Sequence, residues 1–214
     1  MRYLDNVNQS ITERRDIVIE TAFKLFAENR IEPVTMTVVA NNCNMGVASI
    51  YRYFGTKKEL VIAVATKKWR EYYGELQRHY NELNVEKMTA AQELEFYIDR
   101  YIDLYKENSD LLNFNANFSI YIGSEDTKDE MKPYNSIIDK FVNKFHMLYK
   151  KAQDDKTVRT DISEKSIFYN VMYAMLSDLS KYSSGIIHSA DQDRNYEKEI
   201  CQLKYMYLEY YCRK

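Results

Sequence analysis

Only five glycines and two prolines punctuate the 214 residues of this chain. Strands joined by tight hairpins need more turn residues than that, so the scarcity favours long helices with short connections. Hydrophobic residues make up 45% of the chain, enough to bury a sizeable core.

Periodicity agrees with this reading. Ile17, Val18, Ala22, Leu25 and Phe26 predict a first helix over 12–29. Leu60, Val64, Trp69, Tyr72, Tyr73, Leu76, Tyr80 and Leu83 form the stripe of one long helix over 57–83, with a break at 84–87. Leu94, Tyr97, Ile98, Tyr101, Ile102 and Tyr105 mark a helix over 89–108. Ser109 and Asp110 offer N-cap chemistry for the next, which carries Leu111, Leu112, Phe114, Phe118, Tyr121 and Ile122. A polar loop is expected over 123–133, and a helix from Tyr134 to Ala152. Ser163 is a good N-cap for a helix reaching Tyr182; a loop over 183–193 and a last helix over 195–211 complete the chain. The expected fold is all-α, about nine helices with no convincing strand and no internal repeat.

Several classes of function are excluded. Cys43, Cys201 and Cys212 make no CxxC pair and are odd in number, which argues against a disulfide framework and for a reducing cytoplasm. Cys43 is expected to be a small buried apolar residue. No run of eighteen apolar residues suggests a membrane span, and Met1 to Ser10 lacks a signal-peptide core. An enzyme is not expected: His79, His146 and His188 have no metal-ligand spacing, and no GxGxxG, P-loop or GxSxG occurs. Asp191 to Asn195 imitates the opening of a calcium loop but fails at Tyr196, where glycine is needed, and at Gln202, where glutamate is needed. No metal or cofactor is called for. The net charge of −2 argues against holding nucleic acid by bulk charge, yet the first 58 residues carry eight Lys and Arg against six Asp and Glu.

The segment 34–54 carries the most specific signal. Thr35 can cap a short helix running to Cys43, with Val39 and Ala40 facing inward. Asn44 stands where a tight helix–helix turn needs a left-handed residue, a conformation Asn tolerates well. Met45 is placed to plug the angle between the helices, and Gly46 to cap a second helix over 47–53. This is helix-turn-helix geometry, in which the start of the second helix reaches base edges. Those residues are Val47, Ala48 and Ser49; being small, they suit apolar contact with thymine methyls or hydroxyl readout. Tyr51, Tyr53 and Lys57 are positioned to hold phosphates.

The segment resembles the DNA-binding signature of the TetR (tetracycline-repressor) family. Thr35, Val39, Ala40, Ile50, Tyr51, Tyr53, Phe54, Thr56, Lys57 and Leu60 match it without a gap, and Leu25-Phe26-Ala27-Glu28 resembles the end of the family's first helix. The detailed likeness covers roughly 12–65. Departures are Arg30 at a usual glycine, with Asn29 expected to take over the helix-ending role, Asn44 for the turn glycine, Gly46 for a capping serine, Ala48 for a glycine and Val47 for a common lysine. The resemblance implies a three-helix DNA-binding domain over 1–56 and a helical ligand-binding and dimerisation domain over 57–214, with 57–83 connecting them. It implies a palindromic DNA operator contacted by Thr35, Thr37, Gly46, Val47, Ala48, Ser49, Tyr51, Arg52, Tyr53 and Lys57, and a homodimer formed through the last two helices. It also implies a small, partly apolar inducer that releases a cytoplasmic repressor from DNA. Candidate inducer contacts are Tyr97, Tyr101, Tyr105, Phe114, Asn115, Phe118, Tyr121, Phe145, Tyr169 and Tyr173, each of which could equally be core. The competing reading is a helical protein-interaction module without sequence-specific DNA binding.

Overall fold

The computed structural model describes residues 2–123, 129–184 and 195–213, with no side-chain description for 2–10. Most of the expected loop at 183–193, His188, and 191–194 of the calcium-loop imitation lie outside the described residues, as do 124–128 of the expected loop at 123–133. The helices are α1 (Arg2–Asn29), α2 (Met36–Asn42), α3 (Val47–Tyr53), α4 (Lys57–Glu82), α5 (Ala90–Glu107), α6 (Ser109–Ile122), α7 (Lys132–Asp155), α8 (Glu164–Tyr169), α9 (Met175–Ser184) and α10 (Tyr196–Tyr211). A 3₁₀ turn (Val85–Lys87) precedes α5, and a π-turn (Asn170–Ala174) joins α8 to α9 without a break, so the described residues form nine helical rods. They contain no named strand, only an antiparallel bridge between Val158 and Cys212. No described helix is long and apolar enough to cross a membrane.

The chain packs as two compact units, Met1–Arg70 with Asn113–Ser136, and Glu71–Leu112 with Ile137–Lys214. Residues 1–56 lie inside the first, while α4, α6 and α7 each contribute residues to both. In the first unit α1 begins ten residues before the expected Thr12, because no glycine or proline interrupts 2–11. Its buried side is Val18, Ala22, Phe23 and Phe26; Ile17, expected on that stripe, is 50% exposed. Phe114 of α6 lies against Phe23 and Phe26 with ring centroids 5.7 and 6.3 Å away, and against Phe118 at 5.9 Å. The residue that ends α1 is Arg30, at φ 65°, rather than Asn29, whose side-chain amide donates back to the Leu25 carbonyl at 3.2 Å. A left-handed arginine costs roughly 1–2 kcal/mol that glycine would not.

In the second unit the start of α5 shows how the orphan N–H groups of a helix are satisfied. Thr89 and Gln92 form a capping box. The next two donors are met from far along the chain: Ala90 N–H donates to Asp155 Oδ2 at 2.7 Å and Ala91 N–H to Thr157 Oγ1 at 3.0 Å. The end of α7 is thereby tied to the start of α5. The linker after α7 is held in turn by the chain end, with Arg159 N–H donating to Tyr211 O and Arg213 N–H to Thr157 O, both at 2.8 Å. Asn108, rather than Ser109 or Asp110, caps α6, its Oδ1 accepting from Leu111 N–H at 3.3 Å. Leu83, expected on the α4 stripe, is 54% exposed because the helix stops at Glu82 and Asn84 turns left-handed at φ 50°. The three cysteines are free; burial, with Glu95 nearby, pushes the Cys212 thiol up to about 11, while Cys43 is half-buried rather than buried.

The Asp155 link makes a pH-dependent contribution. Partial burial opposes its charge, but hydrogen bonds from the Thr157 and Ala90 N–H groups and the Thr157 hydroxyl, with the charge of Lys151, outweigh that and hold the carboxyl below its ordinary value. A depressed carboxyl stabilises the folded state above its unfolded pKa of about 4, and that contribution fades as pH falls through the lower folded value. Asp155→Asn is therefore expected to melt below the parent at pH 7, with a smaller gap at pH 3. Parallel melting curves at the two pH values check this, and a gap that widened in acid would contradict it.

Candidate nucleic-acid interface

The path from α1 to α4 builds a surface around one short helix. Thr35 is extended, at φ −90° and ψ 162°, and its hydroxyl accepts from Val38 N–H at 3.2 Å, which starts α2 where expected. Val39 and Ala40 are 1% and 0% exposed, and the small side chain at 40 lets the next helix close in. The turn follows from backbone geometry: Met45 N–H donates to Ala40 O at 3.0 Å and Asn44 N–H to Asn41 O at 3.2 Å, with Asn44 left-handed at φ 52°. Met45 is only half-buried, so it lines the angle between α2 and α3 rather than filling it. Gly46 is the N-cap of α3 in an extended conformation, and no side chain caps that helix. An added Cβ at Gly46 would meet nothing within 4 Å, so the position is open to solvent.

Helix α3 has two faces. Ile50 and the C-cap Phe54 are buried at 0% and 1% exposure and anchor it. Ala48, Tyr51 and Arg52 are exposed; Val47, Ser49 and Tyr53 are half-buried. Thr35 and Thr37 are exposed as well. The Arg52 guanidinium lies 5.6 Å from the Tyr53 ring centroid, a contact that consumes none of its N–H donors.

Lys57 is differently placed from a free phosphate clamp. Its ammonium donates to the Glu32 carbonyl at 2.8 Å and lies 5.2 Å from the Tyr121 ring centroid. Desolvation lowers its pKa, opposed by the Glu32 charge. Lys58 pairs with Glu130 at 3.2 Å. Two features escaped sequence reasoning. Thr56 caps α4 by accepting from Glu59 N–H at 3.1 Å while Glu59 accepts from Gly55 N–H at 3.2 Å, a near-capping box legible in the spacing Thr56-x-x-Glu59. Arg15 of α1 sits 4.8 Å over the Phe54 ring, a long-range contact with no local signal.

The candidate inducer contacts divide between the units. Phe114, Asn115, Phe118 and Tyr121 belong to the first, Tyr97, Tyr101, Tyr105, Phe145, Tyr169 and Tyr173 to the second. Phe114 and Phe118 are buried, Asn115 and Tyr121 half-buried. Tyr97 is buried and donates to Glu93 Oε1 at 3.2 Å; Tyr101 is buried and donates to the Met172 sulfur; Tyr105 is half-buried. Phe145 packs on Phe168 at 5.4 Å, and Tyr169 and Tyr173 form an exposed pair with centroids 5.2 Å apart. The second unit holds a cavity of about 230 Å³ lined by Tyr72, Leu76 and Leu104 with Glu75, His79, Arg100, Asp103, Glu107 and Asn108, none of them among those ten.

Comparison with known proteins places these observations. Residues 18–64 match the family model described as bacterial regulatory proteins, tetR family. An HTH-type transcriptional regulator of Staphylococcus aureus is 26% identical over 91 residues, 41% of this chain and 49% of the relative. The chain thus spans about half the length of the curated relative it matches. Among solved structures, a transcriptional regulator from Saccharomonospora viridis in complex with choline superposes with a TM-score of 0.72 at 16% identity, over 95% of this chain and 100% of that one. A tetR-family regulatory protein from Rhodococcus RHA1 gives 0.70 at 11% identity, over 94% and 98%. The fatty acid degradation regulator FadR from Bacillus subtilis, in complex with stearoyl-CoA, gives 0.67 at 15% identity, over 90% and 95%. At these identities the likeness is one of fold.

Proposed function

We propose that the chain is a transcriptional regulator of the TetR family, as the match of residues 18–64 to that family's model supports, and that it acts as a ligand-responsive homodimer that represses transcription from a palindromic operator. The observation that carries this reading is the α2–turn–α3 geometry, with left-handed Asn44 between the two short helices and Ala48, Tyr51 and Arg52 exposed on α3. Residues 1–56 would form the DNA-binding head, with Val47, Ala48 and Ser49 facing base edges and Thr35, Thr37, Gly46, Tyr51, Arg52, Tyr53 and Lys57 along the backbone. The remainder, 57–214, would dimerise and bind the inducer. Exposed Tyr169 and Tyr173 on one rod, and Tyr205, Met206 and Tyr210 on α10, support a dimer formed by the last two rods, since large apolar side chains at helical spacing favour cover. Inducer binding would work by population shift, weakening operator affinity by its preference for one of two states of the dimer. The choline and stearoyl-CoA seen with two structural neighbours support small-molecule control in general without naming the inducer here.

Selection of bound duplexes from a random DNA pool tests the reading. Enrichment of a palindrome with half-site centres roughly 34–36 Å apart is expected for a dimer. Ser49→Ala should then shift sequence preference, and Arg52→Ala should weaken all duplexes and flatten the salt dependence. Recovery of no preferred sequence would favour the interaction-module reading, which the engagement of Lys57 and Lys58 in internal contacts makes specific.

A further inference from the structure

We propose that the first unit carries a binding site of its own, a cleft for an amphipathic organic carboxylate set against the end of α3. The cleft, about 650 Å³, lies between α1, α4 and residues around Pro133. That volume falls in the range of sites that enclose small organic ligands, roughly 300–1,000 Å³. Its apolar lining is Ile19, Phe54, Ile62, Ala63 and Pro133.

The polar lining sorts into engaged and available groups. Asp16 pairs with Lys67 at 3.1 Å, Asp129 with Lys132 at 2.8 Å and Glu130 with Lys58 at 3.2 Å. Glu59 accepts from Gly55 N–H at 3.2 Å within the first turn of α4, where the helix dipole favours its charge. The Thr66 hydroxyl donates to the Ile62 carbonyl at 2.7 Å. Two guanidiniums remain, Arg15 and Arg70, which line the cleft and have no carboxylate partner among the described residues. Arg15 makes no hydrogen bond among the described residues; its guanidinium lies 4.8 Å over the Phe54 ring, a contact that uses none of its five N–H donors. An apolar patch in the lining, beside two guanidiniums with no carboxylate partner among the described residues, fits an anion that guanidinium binds in bidentate fashion, carried on an apolar body. A carboxylate is a head group that a single guanidinium, of Arg15 or of Arg70, can bind in bidentate fashion. Phe54 ends α3 and lines the cleft, so an occupant there is coupled to the pose of the helix with Ser49 and Arg52. The inference does not rest on the reading of DNA binding, nor on an inducer site in 57–214.

Calorimetric titration of the full chain with decanoate, decanol and decylammonium tests it. Decanoate is expected to bind once per chain, and at least tenfold more tightly than the alcohol or the amine. Arg15→Gln and Arg70→Gln, both exposed, should each weaken decanoate about tenfold with unchanged melting curves. Ala63→Phe, which fills the cleft, should abolish binding. Equal affinity for decanol, no binding by the parent chain, or unaltered affinity in the two arginine variants would overturn the proposal. Retained binding in a folded Ala63→Phe chain would place the ligand elsewhere and overturn it too.

Discussion

Lys151→Met is expected to lower the melting temperature by roughly 10 °C, from a loss of about 3–5 kcal/mol in a protein of this size. The reason is Glu93, a carboxylate whose side chain is only 2% exposed and whose one charged partner among the described residues is the Lys151 ammonium. Tyr80 and Tyr97 also donate to Glu93 Oε1, at 3.3 and 3.2 Å. Burial first, and then the Glu93 charge, push both phenols above their ordinary range, so they stay protonated donors. They solvate the carboxylate but do not neutralise it. Removing the ammonium would leave a buried charge uncompensated and strip a donor from the Glu86 carbonyl, 3.1 Å from Lys151 Nζ. Adding Glu93→Gln to Lys151→Met should recover much of the loss, because a neutral amide can use the same phenols without a counter-charge. Thermal unfolding of the three chains at one protein concentration decides it. A single variant melting within 2 °C of the parent would mean that water reaches Glu93.

Glu93 also marks the limit of what the amino-acid sequence shows. A glutamate in the first turn of α5 reads as a solvated helix-start residue, and nothing local announces that Lys151, fifty-eight residues later, will bury it. Features built from neighbours in sequence were legible: the Thr35 cap, left-handed Asn44, the Gly46 start of α3 and the Ser163 cap, whose hydroxyl accepts from Ser166 N–H at 3.2 Å. Each depends on the side chain of one residue and the backbone a few positions away. Where two neighbours could serve, local preference misled. Asn29 has the better left-handed propensity, yet Arg30 takes the conformation; Ser109 and Asp110 are good caps, yet Asn108 does the capping. The π-turn at Asn170–Ala174 carries no compositional signal; Asn170 Nδ2 donates to the Tyr211 hydroxyl at 2.9 Å, an anchor from α10. At the candidate interface the sequence shows which residues lie on α3, but not that Lys57 is drawn onto Glu32 and Tyr121.

Phe114→Ala should cost about 3–5 kcal/mol, the usual loss for truncating a buried phenylalanine. Its ring is 0% exposed and is shared between Phe23 and Phe26 of α1 and Phe118 of its own helix. These contacts give the variant a use beyond stability, because Phe114 is also a candidate inducer contact. A ring that lines a ligand pocket already faces empty space, so its removal enlarges a cavity and forfeits few contacts. A ring that fills a core leaves a new cavity lined by three phenylalanines, and the full penalty follows. Ile120→Ala is the reference: on the same helix and 80% exposed, it should change stability by no more than about 0.5 kcal/mol. Chemical unfolding of both variants at fixed protein concentration separates the two roles, and a loss below about 1 kcal/mol for Phe114→Ala would move it from core to pocket. Because Phe23 and Phe26 are α1 residues, the core role carries a further consequence. DNA binding by Phe114→Ala should fall only as the chain unfolds with temperature, whereas a variant on the exposed face of α3 should lose it while fully folded.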